Sequence, residues 1–184
     1  KDTVERIEVI YRGDLVDKET KLISLSALKG LLTPVVSENI NYVNVEFIAN
    51  RLGISLVESK SSQLEKYTNL ITVKFCTKSR ELSVSGTVFA KEEIRIVDFF
   101  GYKLDFEPSP IVIAIQNIDK PGIIGKIGSI LGAGNINIAA MQWSRNRKGE
   151  KAVAFISVDG DVTEEMLNQL REIDGVLRVS KLRF

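Results

Sequence analysis

The clearest candidate chemistry in this sequence lies in a short polar stretch around residue 120. Asp119 supplies a carboxylate, Asn137 supplies a carboxamide, and Pro121 and Gly122 stand where a helix is predicted to begin. Backbone N–H groups at the start of a helix attract small anions, because the helix dipole is positive there. These groups would match the ammonium, polar side chain and carboxylate of an amino acid, so we expect a pocket for a small zwitterion.

The placement of these residues depends on a predicted strand-helix-strand unit. Asp119 stands just before the helix and Asn137 opens the strand after it, and we therefore expect both side chains at the same end of the sheet. Gly122, Gly125 and Gly128 have the spacing G-x-x-G-x-x-G, which matches neither a P-loop nor a dinucleotide fingerprint. The helix start is predicted to bind an anion smaller than a nucleotide.

Nucleic acid is disfavoured as a partner. The stretch GIIGKIGSI is similar to the G-x-x-G loop of KH domains, but a strand precedes it where KH domains have a helix. The 25 basic and 24 acidic residues are mixed along the chain and give a net charge of only +1. No apolar run approaches the roughly 20 residues that span a bilayer. We expect a cytoplasmic protein that binds neither nucleic acid nor membrane.

Several kinds of catalytic site are excluded by composition. The chain has no histidine, which removes the commonest general base and most zinc ligand sets. Its single cysteine, Cys76, is predicted to lie on the packing surface of a sheet rather than to react. An enzyme that uses carboxylates such as Asp98, Asp105 or Glu107 is an alternative, although nothing clusters them with a nucleophile. We therefore assign no catalytic residue, metal ligand or cofactor to this chain.

The first part of the chain is predicted to be an α+β domain with an antiparallel sheet, over residues 1–107. Alternating apolar residues indicate strands, and apolar residues at helical spacing indicate two helices. The strands are expected at 4–11, 54–57, 70–77, 82–90, 94–99 and 103–106, and the helices at 19–32 and 45–52.

A second domain is predicted over residues 108–184. Pro108 and Pro110 stiffen the connector between the domains, and we place the boundary there. The following patterns run strand, helix, strand, strand, helix, strand, which is the βαββαβ order of a ferredoxin-like domain. The expected ranges are 111–117, 121–133, 136–144, 151–158, 164–173 and 177–182.

Both predicted domains resemble known families. NIDKPGIIGKIGSILGAGNINIAAMQ is similar to the ACT domain, a regulatory amino-acid-binding module, and that resemblance covers residues 110–184. The stretches ALKGLL, INYVNVEFIANRLGI and GTVFAKEEIRIVDFFGYKLDF resemble the intervening domain of long-form D-3-phosphoglycerate dehydrogenases. The resemblance implies that a catalytic part binding NAD normally precedes Lys1, and that this region does not carry out the oxidation by itself.

The same resemblance implies a ligand and a partner. In that family L-serine binds between two ACT domains whose strands pair side by side, and it inhibits the dehydrogenase. Carried over, Asp119 would hold the ammonium group, and the backbone near Pro121 and Gly122 would bind the carboxylate. Asn137 would reach the ligand from the facing protomer of a homodimer. Asn117 lies where relatives place His or Tyr, and it would hydrogen-bond the ligand.

Other interpretations remain open from the sequence. The resemblance also implies an anion or phosphate site in the first domain, for which Arg95 matches and Lys103 is a candidate. One alternative function is the β-subunit of an iron–sulfur L-serine dehydratase, whose cluster a separate subunit would have to hold because this chain has one cysteine. Another is a purely structural oligomerisation module with an empty pocket.

Overall fold

The computed structural model describes residues 3–63, 66–90 and 92–184, and the described chain divides into two compact units, Lys1–Gly101 and Tyr102–Phe184. Ten strands and four helices lie in the described residues. The first eight elements are β1 (Arg6–Gly13), α1 (Lys21–Leu32), α2 (Val45–Arg51), β2 (Ser55–Ser61), β3 (Asn69–Cys76), β4 (Glu81–Phe89), β5 (Glu93–Phe99) and β6 (Tyr102–Phe106). The others are β7 (Ile111–Ile118), α3 (Ile123–Ala133), β8 (Asn137–Arg145), β9 (Lys151–Asp159), α4 (Glu164–Arg171) and β10 (Val176–Arg183).

The first sheet has the strand order β2-β1-β3-β4-β5-β6. The predicted α+β class is confirmed, and the pairs β1–β3, β3–β4 and β4–β5 are antiparallel as expected. β1 and β2 are parallel, which the sequence pattern did not indicate. The cause is the connection through α1 and α2, because a helical crossover returns the chain to the end at which the first strand began.

The core of the first unit lies between this sheet and the two helices. Its buried side chains come from alternate positions of β1 and from the inner faces of α1 and α2, and they include Ile7, Val9, Leu28, Leu32, Val45 and Ile48. Tyr11 is also fully buried, and its hydroxyl group lies 2.6 Å from Ser24 Oγ and 3.0 Å from the carbonyl oxygen of Thr20. Cys76 is buried at the end of β3, as predicted from its place in an apolar strand.

The second unit has the predicted βαββαβ order, which confirms the ferredoxin-like arrangement. Its sheet has the strand order β10-β7-β9-β8, and both helices pack on the same face. Ile113 and Ile115 of β7 and Ile156 of β9 are almost fully buried against Ile127 of α3 and Leu170 of α4. Burial of each such side chain stabilises the fold by about 1.5–3 kcal/mol.

The two edge strands of this second sheet differ in charge. β8 has the sequence NIAAMQWSR and carries no charged side chain before Arg145. β10 has the sequence VLRVSKLR, in which Arg178, Lys181 and Arg183 are charged. Charged residues on an edge strand oppose pairing with another chain, whereas an uncharged edge permits it. Of the two edges, β8 is therefore the better suited to pair with a second strand.

The compact units divide between Gly101 and Tyr102, ahead of the two prolines at which we place the domain boundary. In the part of the chain that the structure describes, no helix has the length and apolar character needed to cross a membrane.

Candidate functional site

The turn between β7 and α3 leaves the start of the helix uncapped by side chains. α3 begins at Ile123, two residues later than predicted, because Gly122 adopts φ 91° and ψ −18° as the N-cap residue. That left-handed backbone conformation favours glycine. Among the described residues no side chain accepts a hydrogen bond at this cap, and the first turn of α3 contains no acidic residue. Its N–H groups can therefore bind an external acceptor.

Asp119 joins this turn to the hairpin between β8 and β9. Its Oδ2 atom accepts hydrogen bonds from Arg145 Nη1 at 2.6 Å and from the backbone N–H of Gly149 at 3.1 Å. Its own backbone N–H donates to the carbonyl oxygen of Glu150 at 2.7 Å. The Gly149 N–H and, next, Arg145 lower the pKa of the Asp119 carboxyl group below its usual value. Asp119 is therefore ionised at neutral pH and can bind a cation.

A pocket of about 370 Å³ opens between the turn and the hairpin. Its lining comes from residues 119–122, from Ile124 of α3, and from Arg145, Lys148 and Gly149 of the hairpin. The volume falls within the ~300–1,000 Å³ typical of small-ligand sites. The lining combines one carboxylate with the cations of Lys120, Arg145 and Lys148, and Lys120 also pairs with Asp174 outside the pocket. The pocket therefore offers charges of both signs.

Asn117 lies beneath this region, on the face of the sheet that carries the helices. It is fully buried, and its Nδ2 atom donates to the carbonyl oxygen of Ile118 at 2.7 Å. Its Oδ1 atom is buried and has no hydrogen-bond partner among the described residues. Leaving a buried acceptor without a partner costs about 1–3 kcal/mol. Such an atom is a natural acceptor for a donor that a ligand brings.

Two lateral neighbours, Ala152 and Arg145, connect Asn117 to the hairpin. In the ladder Asn117 pairs with Ala152 of β9, and Ala152 pairs in turn with Arg145 of β8. Paired residues project from the same face of a sheet. The fully buried side chain of Ala152 therefore lies between the carboxamide of Asn117 and the exposed Arg145 in this row.

Asn137 is not where we expected it within one chain. It pairs with Asp159 at the start of β8, and its Nδ2 atom donates to Asp159 Oδ2 at 2.7 Å. Asp119 lies instead beside Arg145, at the other end of β8, and the length of that strand separates the two by roughly 25 Å. The expectation that both project from the same end of the sheet was wrong, because α3 returns the chain to the end at which β7 began. Neither Asn117 nor Asn137 is among the described residues that line the pocket.

The anion site proposed for the first domain remains a prediction. Arg95 lies on β5, where it donates to Glu93 Oε2 at 3.3 Å and to the carbonyl oxygen of Ile94 at 3.2 Å. Lys103 lies on β6, in the other compact unit, where its carbonyl oxygen accepts a hydrogen bond from Ser144 Oγ. The contacts described for the two residues do not bring them to a common ligand.

The carboxylates considered for catalysis do not form a described cluster. Asp98 is buried on β5, and its Oδ1 atom accepts from the backbone N–H of Gly101 at 3.1 Å. Among residues 3–63, 66–90 and 92–184, no group of three or more carboxylate or thiol side chains is placed to hold a metal ion.

Arg145 is the site residue that the sequence did not reveal. Its contact with Asp119 joins residues 26 positions apart and depends on the register of β8 against β9. One signal was available, since the predicted βαββαβ order places the β8–β9 hairpin beside the end of β7. A basic residue at the start of that hairpin could therefore have been matched with Asp119.

The fold and the site are those of a regulatory region that contains an ACT domain. The family profile of the ACT domain matches residues 111–175, which include the turn, α3 and the hairpin. The profile of the D-3-phosphoglycerate dehydrogenase intervening domain matches residues 1–100. The chain belongs to the D-3-phosphoglycerate dehydrogenase family, as a regulatory region that joins an intervening domain to an ACT domain.

Similar proteins with the name D-3-phosphoglycerate dehydrogenase support this assignment along almost the whole chain. The protein from Methanocaldococcus jannaschii is 36% identical over 178 residues, and that from Bacillus subtilis is 34% identical over 179 residues. Each match covers 97% of this chain and 34% of the relative. The protein from Archaeoglobus fulgidus is 33% identical over 176 residues, which is 95% of this chain and 33% of that relative. The chain therefore spans about a third of the length of these curated relatives.

Proposed function

We propose that this chain is the effector-binding region of an NAD-dependent D-3-phosphoglycerate dehydrogenase, in which L-serine binds at a junction between two ACT domains and inhibits the enzyme. A catalytic part outside these residues would bind NAD and oxidise the substrate at the first step of serine synthesis. The intervening and ACT domains of this chain would bind the effector. The observation that carries this proposal is the pocket in which the ionised carboxylate of Asp119 lies beside the start of α3.

L-serine carries two kinds of hydrogen-bond donor and one carboxylate. Its ammonium and hydroxyl groups both donate. The serine ammonium would bind the ionised Asp119, and its carboxylate would accept from the uncapped N–H groups of α3. The geometry of one chain thus supplies partners for the charged groups of an amino acid.

Asn137 can join this site only from a second copy. At roughly 25 Å from Asp119 along β8, it is too distant to touch the same small ligand within one chain. β8 is an edge strand without a charged side chain before Arg145, and Ala139, Ala140 and Gln142 are exposed on it. Antiparallel pairing of two β8 strands about Met141 would place Asn137 of the partner subunit opposite Arg145, next to the pocket. We therefore propose a homodimer in this register.

Regulation then follows from a difference in affinity between two states of the protein. A small ligand with a few charge-assisted contacts binds with a dissociation constant of about micromolar to millimolar, or roughly −8 to −4 kcal/mol. A ligand that bridges two ACT domains stabilises their paired arrangement. A coupling of about 1–3 kcal/mol is sufficient to shift an allosteric equilibrium.

Calorimetry on the chain tests the proposed effector. We expect L-serine to bind with one molecule per chain, and Asp119→Asn to abolish the heat because a neutral amide attracts the ammonium group far less. Asp161→Asn is the matched control, since Asp161 is an exposed carboxylate that binds Lys181 at 3.1 Å and does not line the pocket. That variant should bind L-serine as the unmodified chain does.

Two other results would favour the alternatives. No heat with L-serine or any other small amino acid, together with an unchanged unfolding temperature, would support a structural oligomerisation module. Purification of the native protein with a separate cysteine-rich subunit would support an iron–sulfur L-serine dehydratase. The names of the relatives that cover most of this chain favour the dehydrogenase.

A further inference from the structure

The contact between Arg145 and Asp119 occupies one oxygen, Oδ2, of the carboxylate to which an effector's ammonium group would bind. Arg145 Nη1 lies 2.6 Å from Asp119 Oδ2, and the Gly149 N–H also donates to that atom. The Asp119 side chain is 17% exposed and the Arg145 side chain is 52% exposed. The Asp119 carboxylate is therefore fixed by its contacts, whereas the more exposed guanidinium group of Arg145 can change its conformation.

We propose that amino-acid binding at this site is a cation exchange, in which the ligand's ammonium group displaces Arg145 from Asp119. The proposal rests on the effector function given above and adds the residue that sets its affinity. Two cations bound close together on one carboxylate repel each other, so the guanidinium group and the ammonium group weaken each other's binding to Asp119. Arg145 would then be a built-in competitor that weakens the site for amino acids.

The displaced guanidinium group can move without unfolding the hairpin. The backbone hydrogen bond from Asp119 to Glu150 and the pairing of Arg145 with Ala152 do not involve the Arg145 side chain. Half of that side chain already faces solvent. The exchange therefore changes one rotamer and leaves the ladder between β8 and β9 in place.

Replacement of Arg145 distinguishes a competitor from a ligand-binding group. Arg145→Met removes the competing cation, and we expect L-serine to bind about twofold to fivefold more tightly, which is the range that loss of a partly exposed ion pair gives. Arg145→Lys keeps a cation next to Asp119 and should bind close to the unmodified chain. Arg147→Met is the matched control, because Arg147 lies on the same hairpin, pairs with Glu150 at 3.8 Å and is 81% exposed.

Binding of glycerate is the second measurement, since glycerate has a hydroxyl group where L-serine has the ammonium group. It cannot displace a cation, so Arg145→Met should not tighten its binding. NMR of the arginine side chains gives an independent reading. The Arg145 guanidinium signal should become more mobile when L-serine is added and should not change when glycerate is added.

The outcomes separate this inference from the proposed function. Tighter L-serine binding by Arg145→Met alone supports the exchange, including the case in which only this variant gives measurable heat. Weaker binding of both L-serine and glycerate by Arg145→Met would show that Arg145 binds the ligand's carboxylate. Unchanged binding would show that Arg145 does not compete with the ligand's ammonium group. Either result overturns the exchange but not the effector function. If no variant binds L-serine, the effector function fails and the exchange fails with it.

Discussion

Asp119 is one of three aspartates whose ionised form is stabilised by hydrogen bonds and nearby cations in the folded chain. The backbone N–H of Gly149 and the side chain of Arg145 lower the pKa of Asp119. Lys181 and Arg183 lower the pKa of Asp161. Lys120 lowers the pKa of Asp174. Each carboxyl group is more acidic in the folded chain than its usual value of 3.8. The folded state therefore prefers their charged forms.

This preference predicts loss of stability in acid. A carboxyl group with a lowered native pKa contributes stability above its unfolded pKa, and the contribution is lost as the pH falls through the native pKa. We expect the unfolding temperature, followed by circular dichroism, to be level from pH 7 to about pH 5 and to fall below about pH 4. Asp161→Asn should show a smaller fall. An unfolding temperature that stays constant or rises on acidification would contradict the prediction.

At the scale of single residues the sequence identified the groups but not all of their partners. Asp119, Pro121 and Gly122 were selected from a local pattern, and the structure places all three around one pocket. Asn137 was placed at the wrong end of the sheet, because the return of the chain through α3 was not taken into account: a helical crossover starts the next strand at the end at which β7 began. Arg145 was missed because its contact with Asp119 depends on strand register, which local periodicity does not show.

The start of α3 is the element that most directly shapes the pocket. Gly122 has φ +91°, in a region where a side chain is strained. Gly128 lies in the middle of α3, and a Cβ atom at that position would have no heavy atom of a neighbouring element within 4 Å. The two glycines therefore offer opposite responses to the same substitution.

We expect Gly122→Ala to destabilise the second unit by about 1–2 kcal/mol, the cost of a left-handed conformation for a non-glycine residue. Gly128→Ala should stabilise it by about 0.5–1 kcal/mol, because alanine loses less backbone entropy in a helix. Trp143, the only tryptophan, packs against the core of this unit, so its fluorescence during urea unfolding reports on the second unit. Equal effects of the two substitutions would show that the backbone at Gly122 is not left-handed.

Most helices and strands could be predicted from the sequence because their signals are local. Alternating residues in β1 and the three leucines on one face of α1 required no tertiary information. The parallel pairing of β2 with β1 could not be found in this way, since it depends on the path of α1 and α2. The start of α3 was misplaced by two residues because Pro121 commonly opens a helix, whereas here Gly122 delays it.

At the scale of the whole molecule, the proposed site is complete only when two chains meet along β8. In the antiparallel register about Met141, Ala140 of one chain lies opposite Gln142 of the partner subunit. Both side chains are exposed in the single chain, so substitutions there should leave the fold of the monomer intact.

We expect Ala140→Lys combined with Gln142→Lys to separate the dimer, since like charges would face one another across the two strands. Ala140→Glu combined with Gln142→Lys is the matched control, because it places opposite charges at the same positions and should keep the chains paired. Sedimentation velocity at several concentrations measures the outcome. Dissociation of both double variants, or of neither, would exclude this register.

The basic side chains of β10 also limit how many chains one sheet can join. If β8 pairs with β8 around a two-fold axis, each chain uses its open edge once, and the outer margins of the joined sheet are two copies of β10. Arg178, Lys181 and Arg183 on those margins repel a further strand. Growth by this route therefore stops at two molecules, which yields a finite complex and not a fibre even at high concentration.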